Sequence, residues 1–203
     1  MSAPVRVVKV GGSLLRHQPE AAAKEMAALP DVLPRWLARQ SPAINVLIAG
    51  GGEFADVIRR ADETHGLGQE AAHWLCVDAM SVTARLLGAI VNARVVTEAK
   101  ELPSVVPSIC VFDPGPFLRE MEPLLFSTPL PHTWDVTSDS IAARVALSIH
   151  ADEFVLLKSC LPASNLASYV DAYFPLAAAG MTEIRCVNLR SPNFEETHWV
   201  NQR

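Results

Sequence analysis

Short apolar segments alternate along this chain with longer segments in which apolar residues recur every three to four positions. The short segments are rich in β-branched residues, as strands are, and the longer ones have the spacing of helices. The predicted strands cover residues 5–10, 44–49, 94–97, 109–112, 154–157 and 183–189. The predicted helices cover residues 19–29, 36–38, 53–63, 69–92, 139–150 and 166–179.

Strands that alternate with helices indicate an α/β fold with a mainly parallel sheet covered on both faces. The sequence contains no tandem repeat or low-complexity segment, which predicts a single domain over residues 1–203. Sheets of this kind bind ligands beyond the carboxyl ends of their strands. That edge is predicted to carry a glycine loop at Gly11, a second glycine loop at Gly50, and Lys158.

Composition and charge narrow the class of protein. Hydrophobic residues make up 50% of the 203 positions and charged residues 19%, so a large core is expected and wholesale disorder is excluded. The formal net charge of −5 provides no global attraction for nucleic acid or an anionic membrane, and neither is expected as a partner.

The cellular location of the protein is predicted from sequence features that indicate neither a membrane span nor a signal peptide. No continuous apolar run approaches the roughly 18 residues of a membrane span, and Arg6 and Lys9 interrupt the first apolar stretch, unlike a signal peptide. The four cysteines form no CxxC motif and are expected to be buried free thiols. A cytoplasmic protein without a metal site in its own side chains is therefore expected.

The two glycine loops are the first candidate binding features. The first strand runs into Gly11-Gly12-Ser13, and the second into Gly50-Gly51-Gly52. Glycines between a strand and a helix leave backbone N–H groups open to a phosphate, although such glycines are also common in plain turns. Neither loop is a Walker A motif, and no GxGxxG is present. With Lys9 beside the first loop, two such cradles favour a kinase, which must hold a donor's phosphates and an acceptor.

A third constellation is the segment from Asp135 to Asp139, ahead of a predicted helix. Ser138 is predicted to cap that helix, and Asp139 falls in its first turn, where the helix dipole favours an ionised carboxylate. The segment is either an ordinary helix start or, taken with Lys9, the source of a carboxylate that orients lysines toward a transferring phosphoryl group.

These motifs resemble the amino acid kinase family, which includes acetylglutamate, aspartate and uridylate kinases. The segment 7–13 is similar to the family's opening phosphate loop, 47–52 to its second glycine loop, and 137–143 to its aspartate-bearing helix start. The resemblance implies a three-layer αβα sandwich, ATP with Mg²⁺ as the phosphoryl donor, and a small anionic metabolite as the acceptor. It also implies that Lys9 contacts the transferred phosphate and that Asp139 organises the lysines.

The resemblance extends to further site residues. The residues that would contact the nucleotide are Gly11, Gly12, Ser13, Lys158 and Ser159, with Lys158 also a catalytic candidate. Gly50, Gly51 and Gly52 would contact the acceptor. The segments 72–80 and 132–140 resemble small family members that phosphorylate aminomethylfuran-methyl phosphate in one-carbon cofactor biosynthesis. That likeness adds acceptor-binding candidates at His73, His132, Trp134, Asp135 and Thr137. A homo-oligomer is also expected.

Several of these residues have an ordinary structural alternative. His73 is either an acceptor contact or a histidine on the helix surface or in the core, and Asp135 either binds an acceptor's ammonium group or bonds its own backbone. Arg59 and Arg60 are predicted as a solvated helix face, and Trp199 as a residue that packs on the surface or against another subunit.

The chain departs from the family pattern after Lys158, where members usually carry a longer segment with a second lysine behind paired glycines. Lys158 either supplies that second cation or is a solvated lysine at a strand end. Two functions therefore stay open: an ATP-dependent kinase for a small phosphate- or carboxylate-bearing metabolite, and a non-catalytic nucleotide- or oxyanion-binding protein on the same scaffold.

Overall fold

The fold is a seven-stranded sheet with helices on both faces, seen in a computed structural model that describes residues 3–15, 28–163, 166 and 168–200. The strand order is β3-β4-β2-β1-β5-β6-β7. All neighbouring strands run parallel except β6 and β7, which are antiparallel. The strands are β1 (Val5–Val10), β2 (Ile44–Ala49), β3 (Arg94–Val96), β4 (Ser108–Phe112), β5 (Glu153–Lys158), β6 (Glu183–Asn188) and β7 (Glu196–Val200).

Seven α-helical segments connect the described strands, together with shorter helical turns. The α-helices are α1 (Leu29–Leu37), α2 (Gly52–His65), α3 (Gln69–Val91), α4 (Pro114–Pro116), α5 (Glu122–Leu125), α6 (Ser138–Ser148) and α7 (Phe174–Ala177). The 3₁₀ turns are Gly12–Leu14 and Ala99–Glu101, and a π-helical turn covers Phe117–Met121.

Alternate residues of the central strands feed two separate cores, one on each face of the sheet. Val7 belongs to a cluster that includes Ile141 of α6, and Val8 belongs to a second cluster that includes Leu33 of α1. Successive side chains of a strand point to opposite faces, so this division follows from the strand itself. The predicted αβα sandwich with a mainly parallel sheet is thereby confirmed.

The position of β1 at the middle of the sheet brings the three chemistry-bearing segments together. Its Val10 is in register with Ala49 of β2 and Leu157 of β5. The residues that follow these three positions are Gly11, Gly50 and Lys158, which therefore emerge side by side at the carboxyl edge.

The chain after Lys158 differs most from its prediction. The helix predicted over 166–179 is reduced, among the described residues, to α7, and the segment before α7 is made of turns. β7 was not predicted; it pairs with β6, and Trp199 on it packs against Phe174 with ring centroids 6.4 Å apart. Trp199 was expected to pack on the surface or against another subunit. It packs instead against the core cluster, as part of β7.

Smaller differences concern helix ends. Residues 19–27 of the first predicted helix lie outside the described residues, and Leu29 instead begins α1, which contains Pro34 and Trp36. Residues 114–116, which were not assigned to a predicted helix, form α4, capped by the Asp113 carboxylate, which accepts a hydrogen bond from the Gly115 N–H. Ser138 is the first helical residue of α6 rather than its cap, and Thr137 occupies the cap position.

The long helix α3 presents apolar residues on two sides. Ala72, Val77 and Leu87 are buried, whereas Leu75, Val82 and Leu86, a stripe at helical spacing, face outward and are 39–46% exposed. By length and hydropathy α3 could cross a membrane, contrary to the expectation that no such segment exists. Its buried face joins both core clusters, and the exposed stripe supplies part of that hydropathy as well.

The four cysteines are free thiols, as expected, but only two of them are buried. Cys110 and Cys186 lie in the core, Cys76 is half-buried, and Cys160 is exposed. Cys160 lies two residues beyond β5, in the turn that follows Lys158, and this explains its exposure.

Candidate active site

A buried carboxylate between two ammonium groups forms the centre of the site. Asp139 Oδ1 lies 2.7 Å from Lys9 Nζ, and Asp139 Oδ2 lies 2.8 Å from Lys158 Nζ. Lys9 and Asp139 are each only 4% exposed. Lys9 shares the β1 face of Val7, the face on which α6 packs, and this places Asp139 within reach. The structure therefore unites the three residues predicted as catalytic.

The electrostatics of this triad keep its aspartate charged. Burial by itself raises the pKa of the Asp139 carboxyl, but Lys9 and Lys158 oppose burial and hold that pKa below its ordinary value. Burial lowers the pKa of Lys158, and Asp139 offsets part of that effect. The charges of Asp139 and Lys158 therefore favour each other's ionisation.

Lys158 has further partners on the segment that follows β5. Its Nζ donates a hydrogen bond to the Tyr169 carbonyl oxygen and lies 4.3 Å from the centroid of the Tyr169 ring. These contacts, with the bond to Asp139, contradict the alternative that Lys158 is merely a solvated lysine at a strand end. Its ammonium is fixed at the carboxyl edge.

The two glycine loops pack against each other above the triad. A Cβ on Gly12 would lie 2.6 Å from the Gly52 backbone nitrogen, and a Cβ on Gly50 would lie 2.9 Å from the Ser138 hydroxyl. Gly52 also has a φ of +56°, which residues with side chains rarely adopt. Glycine is required at these positions because the two loops and the start of α6 approach one another too closely for side chains. An isolated turn would not impose that requirement.

Only part of each loop is open to a ligand. The Gly11 N–H donates to the Leu157 carbonyl and the Gly50 N–H to the Val10 carbonyl, so both bind the loops to the sheet. Helix α2 begins at Gly52, and the N–H groups of its first turn lack intrahelical acceptors. We therefore expect the backbone N–H groups that can bind an anion at the carboxyl edge of the sheet to be those of the later glycines in each loop.

The side of the first loop that faces β5 carries hydroxyl groups and a guanidinium. Ser13 Oγ and Ser159 Oγ are 3.3 Å apart, and Arg190 Nη2 donates to the Ser13 carbonyl at 3.2 Å. Arg190 is exposed and follows β6 at the same edge of the sheet. Arg190 belongs to none of the sequence motifs described above; its place shortly after a predicted strand is the signal that the sequence offers.

A cleft of about 230 Å³ adjoins both loops, between α2, α3 and the segment before α6. Seven of the predicted site residues line it: Gly12, Ser13, Gly51, Gly52, His73, Trp134 and Thr137. The cleft also receives Asp56 and Arg59 from α2. It is large enough for a small metabolite and reaches the loop that carries Gly12.

Arg59 has a place in the cleft that the sequence analysis did not give it. Its guanidinium lies 5.0 Å from the centroid of the Trp134 ring and 3.2 Å from Asp56 Oδ1. Trp134 is held in turn by a hydrogen bond from its Nε1 to Asp62 Oδ2, at 2.9 Å. The spacing of Gly52, Asp56 and Arg59 places them on one face of a helix, a signal that was available in the sequence.

His73 and His132 stack on each other, but only His73 lines the cleft. Their ring centroids are 4.7 Å apart, and His132 Nδ1 lies 2.7 Å from Glu70 Oε2. Burial, together with the smaller effect of the neighbouring His132, lowers the pKa of His73 to about 4. His73 therefore presents an uncharged imidazole to the cleft at neutral pH, supported from behind by His132.

Asp135 lies outside the lining of the cleft and is exposed. Its backbone N–H donates to the Thr133 hydroxyl at 3.3 Å, and its carbonyl accepts from the Tyr173 N–H at 3.0 Å. Both bonds involve the backbone of Asp135, so they decide neither alternative for its carboxylate. Asp56 is the carboxylate that the structure brings to the cleft.

Comparisons with known proteins agree with this fold, although no family model matches the chain. A curated relative, the [5-(aminomethyl)furan-3-yl]methyl phosphate kinase of Methanocaldococcus jannaschii, is 24% identical over 155 residues. The matched region is 75% of this chain but 64% of that kinase, so the chain spans less than two thirds of its relative's length.

Solved structures of uridylate (UMP) kinases share the architecture. The UMP kinase of Bacillus anthracis matches 95% of this chain and 90% of its own with a TM-score of 0.58 at 12% identity. The enzyme of Ureaplasma parvum covers 95% and 92% with a TM-score of 0.57 at 13% identity. The uridylate kinase of Archaeoglobus fulgidus covers 79% and 68% with a TM-score of 0.50 at 18% identity. Together, the curated relative and the shared fold confirm the resemblance of this chain to the amino acid kinase family.

Proposed function

We propose that the protein is an ATP-dependent kinase for a small phosphate- or carboxylate-bearing metabolite. The observation that carries the proposal is the buried arrangement of Lys9, Asp139 and Lys158 where the two glycine loops meet. Phosphoryl transfer needs positioned cations for the charge on the transferring group and little covalent help from the protein. Two ammonium groups locked by one carboxylate meet that need without reorganising during the reaction.

The two sides of the loops suit the two substrates. ATP would supply the phosphoryl group, held on the side of Ser13 and Ser159, where Arg190 offers a further cation for its phosphates. The acceptor would occupy the cleft beside Arg59. An oxygen of the acceptor attacks the terminal phosphorus of ATP, the bond from that phosphorus to the bridging oxygen breaks, and ADP leaves.

A metal ion would enter this site with the nucleotide. Among the described residues, no group of three or more His, Cys, Asp or Glu side chains could hold one. Both oxygens of Asp139 are already occupied by lysines. Mg²⁺ commonly binds through substrate phosphates rather than through a cage of protein ligands, and the donor set here fits that mode.

We infer further that the acceptor carries an ammonium group as well as a phosphate. Arg59 and Asp56 place opposite charges in one small cleft, and Trp134 supplies a flat apolar surface beside them. The compound named for the archaeal relative, an aminomethylfuran-methyl phosphate, has an anionic end, a flat ring and an amine. Such a phosphate monoester would become a diphosphate, a reaction used in one-carbon cofactor biosynthesis.

We propose that the protein is a homo-oligomer in which the outward stripe of α3 is covered by a second copy. The stripe of Leu75, Val82 and Leu86 is flanked by Asp78 and Arg85, which are seven residues apart. Two copies crossing in antiparallel near Val82 would bring Asp78 of each close to Arg85 of the other. Apolar residues between complementary charges suit a self-complementary two-fold contact.

A coupled ADP-release assay over a panel of phosphate monoesters and carboxylates tests the kinase proposal. We expect turnover with at least one acceptor, and Lys9→Ala should lower kcat by about 10²-fold or more, because it removes a cation aimed at the transferring group. The far-ultraviolet circular dichroism spectrum checks that the variant is folded. Tight ATP binding without turnover on any acceptor would favour the non-catalytic alternative.

The buried triad also makes a prediction about stability. Asp139→Asn leaves the buried ammonium group of Lys9 and the partly buried one of Lys158 without their counter-charge, and it should cost about 3–5 kcal/mol in the free energy of unfolding. The double variant Asp139→Asn/Lys9→Met removes one of those charges and should be more stable than the single variant. Urea unfolding at pH 7 measures both. A double variant that is less stable than Asp139→Asn would contradict the account of the triad.

The cleft predicts how the acceptor's amine is recognised. Asp56→Asn should raise KM about tenfold or more for an amine-bearing phosphate, the loss expected from one charge-assisted contact of ~1.5–3 kcal/mol. KM for ATP and for an acceptor without an amine should change little. Asp135→Asn is the matched control, since that carboxylate lies outside the cleft. The reverse pattern would return the amine-binding role to Asp135.

The oligomer proposal predicts a change of mass. We expect sedimentation equilibrium to give a multiple of the 22.0 kDa chain mass. Val82→Glu should shift the protein to a monomer by placing a charge in the contact. Leu176→Glu, at an exposed leucine on α7, is the control and should leave the mass unchanged. A monomeric parent protein would refute the proposed contact.

A further inference from the structure

The start of α6 receives its cap from a distant segment of the chain. The cap residue Thr137 makes no capping bond with its own side chain. The carboxylate of Asp171 accepts bonds from the Thr137 N–H at 3.1 Å, the Thr137 hydroxyl at 2.8 Å and the Ser140 N–H at 3.0 Å. It also accepts one from the Ser140 hydroxyl. A carboxylate that receives two backbone and two hydroxyl donors fixes both the position and the rotation of this turn.

Asp139 lies inside the turn that Asp171 holds. Thr137 precedes Asp139 and Ser140 follows it, and both residues donate hydrogen bonds to the Asp171 carboxylate. A shift of the Asp171 carboxylate would therefore displace the backbone that carries Asp139. The bonds from Asp139 to Lys9 and Lys158 are 2.7 and 2.8 Å long. Bonds of this length leave little room for displacement before one of them is lost.

The segment that carries Asp171 also contacts the second lysine of the triad. Two residues before Asp171, the Tyr169 carbonyl accepts a bond from Lys158 Nζ. Two residues after it, the Tyr173 N–H donates to the Asp135 carbonyl at 3.0 Å, ahead of α6. This short stretch therefore joins the end of β5 to the start of α6, the two elements from which Lys158 and Asp139 project.

The charge of Asp171 adds to its mechanical role. Burial raises the pKa of its carboxyl, and the bonds from Ser140 counteract burial. The same negative charge also favours the protonated form of Lys158. Replacement by an amide would therefore alter the field at Lys158 as well as the geometry at Asp139.

We propose that Asp171 is a positioning residue that holds the Asp139 carboxylate between Lys9 and Lys158 through the capped turn of α6. The inference rests on the proposed kinase function for its effect on rate. It assigns to the segment after β5 a structural contribution to the reacting centre. Asp171 itself is not placed in contact with either substrate.

The kinetic test compares two aspartates that each cap a helix. Asp171→Asn should lower kcat about 10- to 100-fold, as small misplacements of reacting groups do, while KM for ATP and for the acceptor changes little. Asp113→Asn removes a comparable cap at α4, away from the triad, and should lower the melting temperature without lowering kcat. Ser140→Ala removes one of the four donors and should give a smaller loss of kcat, and it serves as the milder variant if Asp171→Asn folds poorly.

A double-variant cycle separates positioning from general stability. Because Asp171 acts through Asp139, Asp171→Asn should lower kcat much less in an Asp139→Asn background than in the parent protein. Equal factors in the two backgrounds, or an unchanged kcat in Asp171→Asn, would overturn the inference.

A crystal structure of Asp171→Asn supplies a readout that does not depend on turnover. We expect the Asp139 carboxylate to lose its bond to at least one lysine. A triad that keeps its distances would overturn the inference even if the kinase proposal holds. If the parent protein has no turnover, the kinase proposal fails by itself, and a displaced Asp139 in this structure still supports the positioning role.

Discussion

The structure depends on one buried carboxylate that compensates the buried ammonium group of Lys9 and the partly buried ammonium group of Lys158. Lys9 occupies the central strand between valines that are fully buried, where an unpaired ammonium would cost far more than the protein's stability margin. Asp139 supplies the negative charge that Lys9 needs at that position. The same carboxylate also balances the positive charge of Lys158. Apolar side chains of similar volume at these three positions would often leave the protein at least as stable. Retaining three charges in the interior therefore favours a chemical role for them.

The glycines follow from the same constraint. For Asp139 to reach Lys9, the first turn of α6 must approach the ends of β1 and β2, and the Gly50 loop lies in contact with the Ser138 hydroxyl. The Gly12 and Gly52 backbones then meet with no space for a side chain. The phosphate-binding potential of the loops and the close packing around the triad are thus two results of one arrangement. This is why glycine patterns alone, without the lysine and the aspartate, are weak predictors of function.

Much of this arrangement was predictable from local patterns. The buried parallel strands have continuous apolar sequences, and their order places Gly11, Gly50 and Lys158 at one edge. What the sequence could not reveal are contacts made across the fold. Asp139 has the same local signature as an exposed first-turn aspartate, and only packing shows that it is buried. Arg59 resembles a solvated helix residue until Trp134 is placed beside it. Asp171 caps a helix more than thirty residues away, and no short-range pattern reports such a cap.

The failed helix prediction over 166–179 has a related physical reason. Apolar residues such as Leu166, Tyr169 and Val170 suggested a helix, but they are buried by turns that wrap against the sheet and α6. A continuous helix would use its own carbonyl groups internally, whereas the turn leaves the Tyr169 carbonyl free to accept from Lys158. It also leaves Asp171 free to serve another helix. Tertiary contacts with the charged triad therefore outweigh the local helical preference, and the segment's irregularity is what connects it to the site.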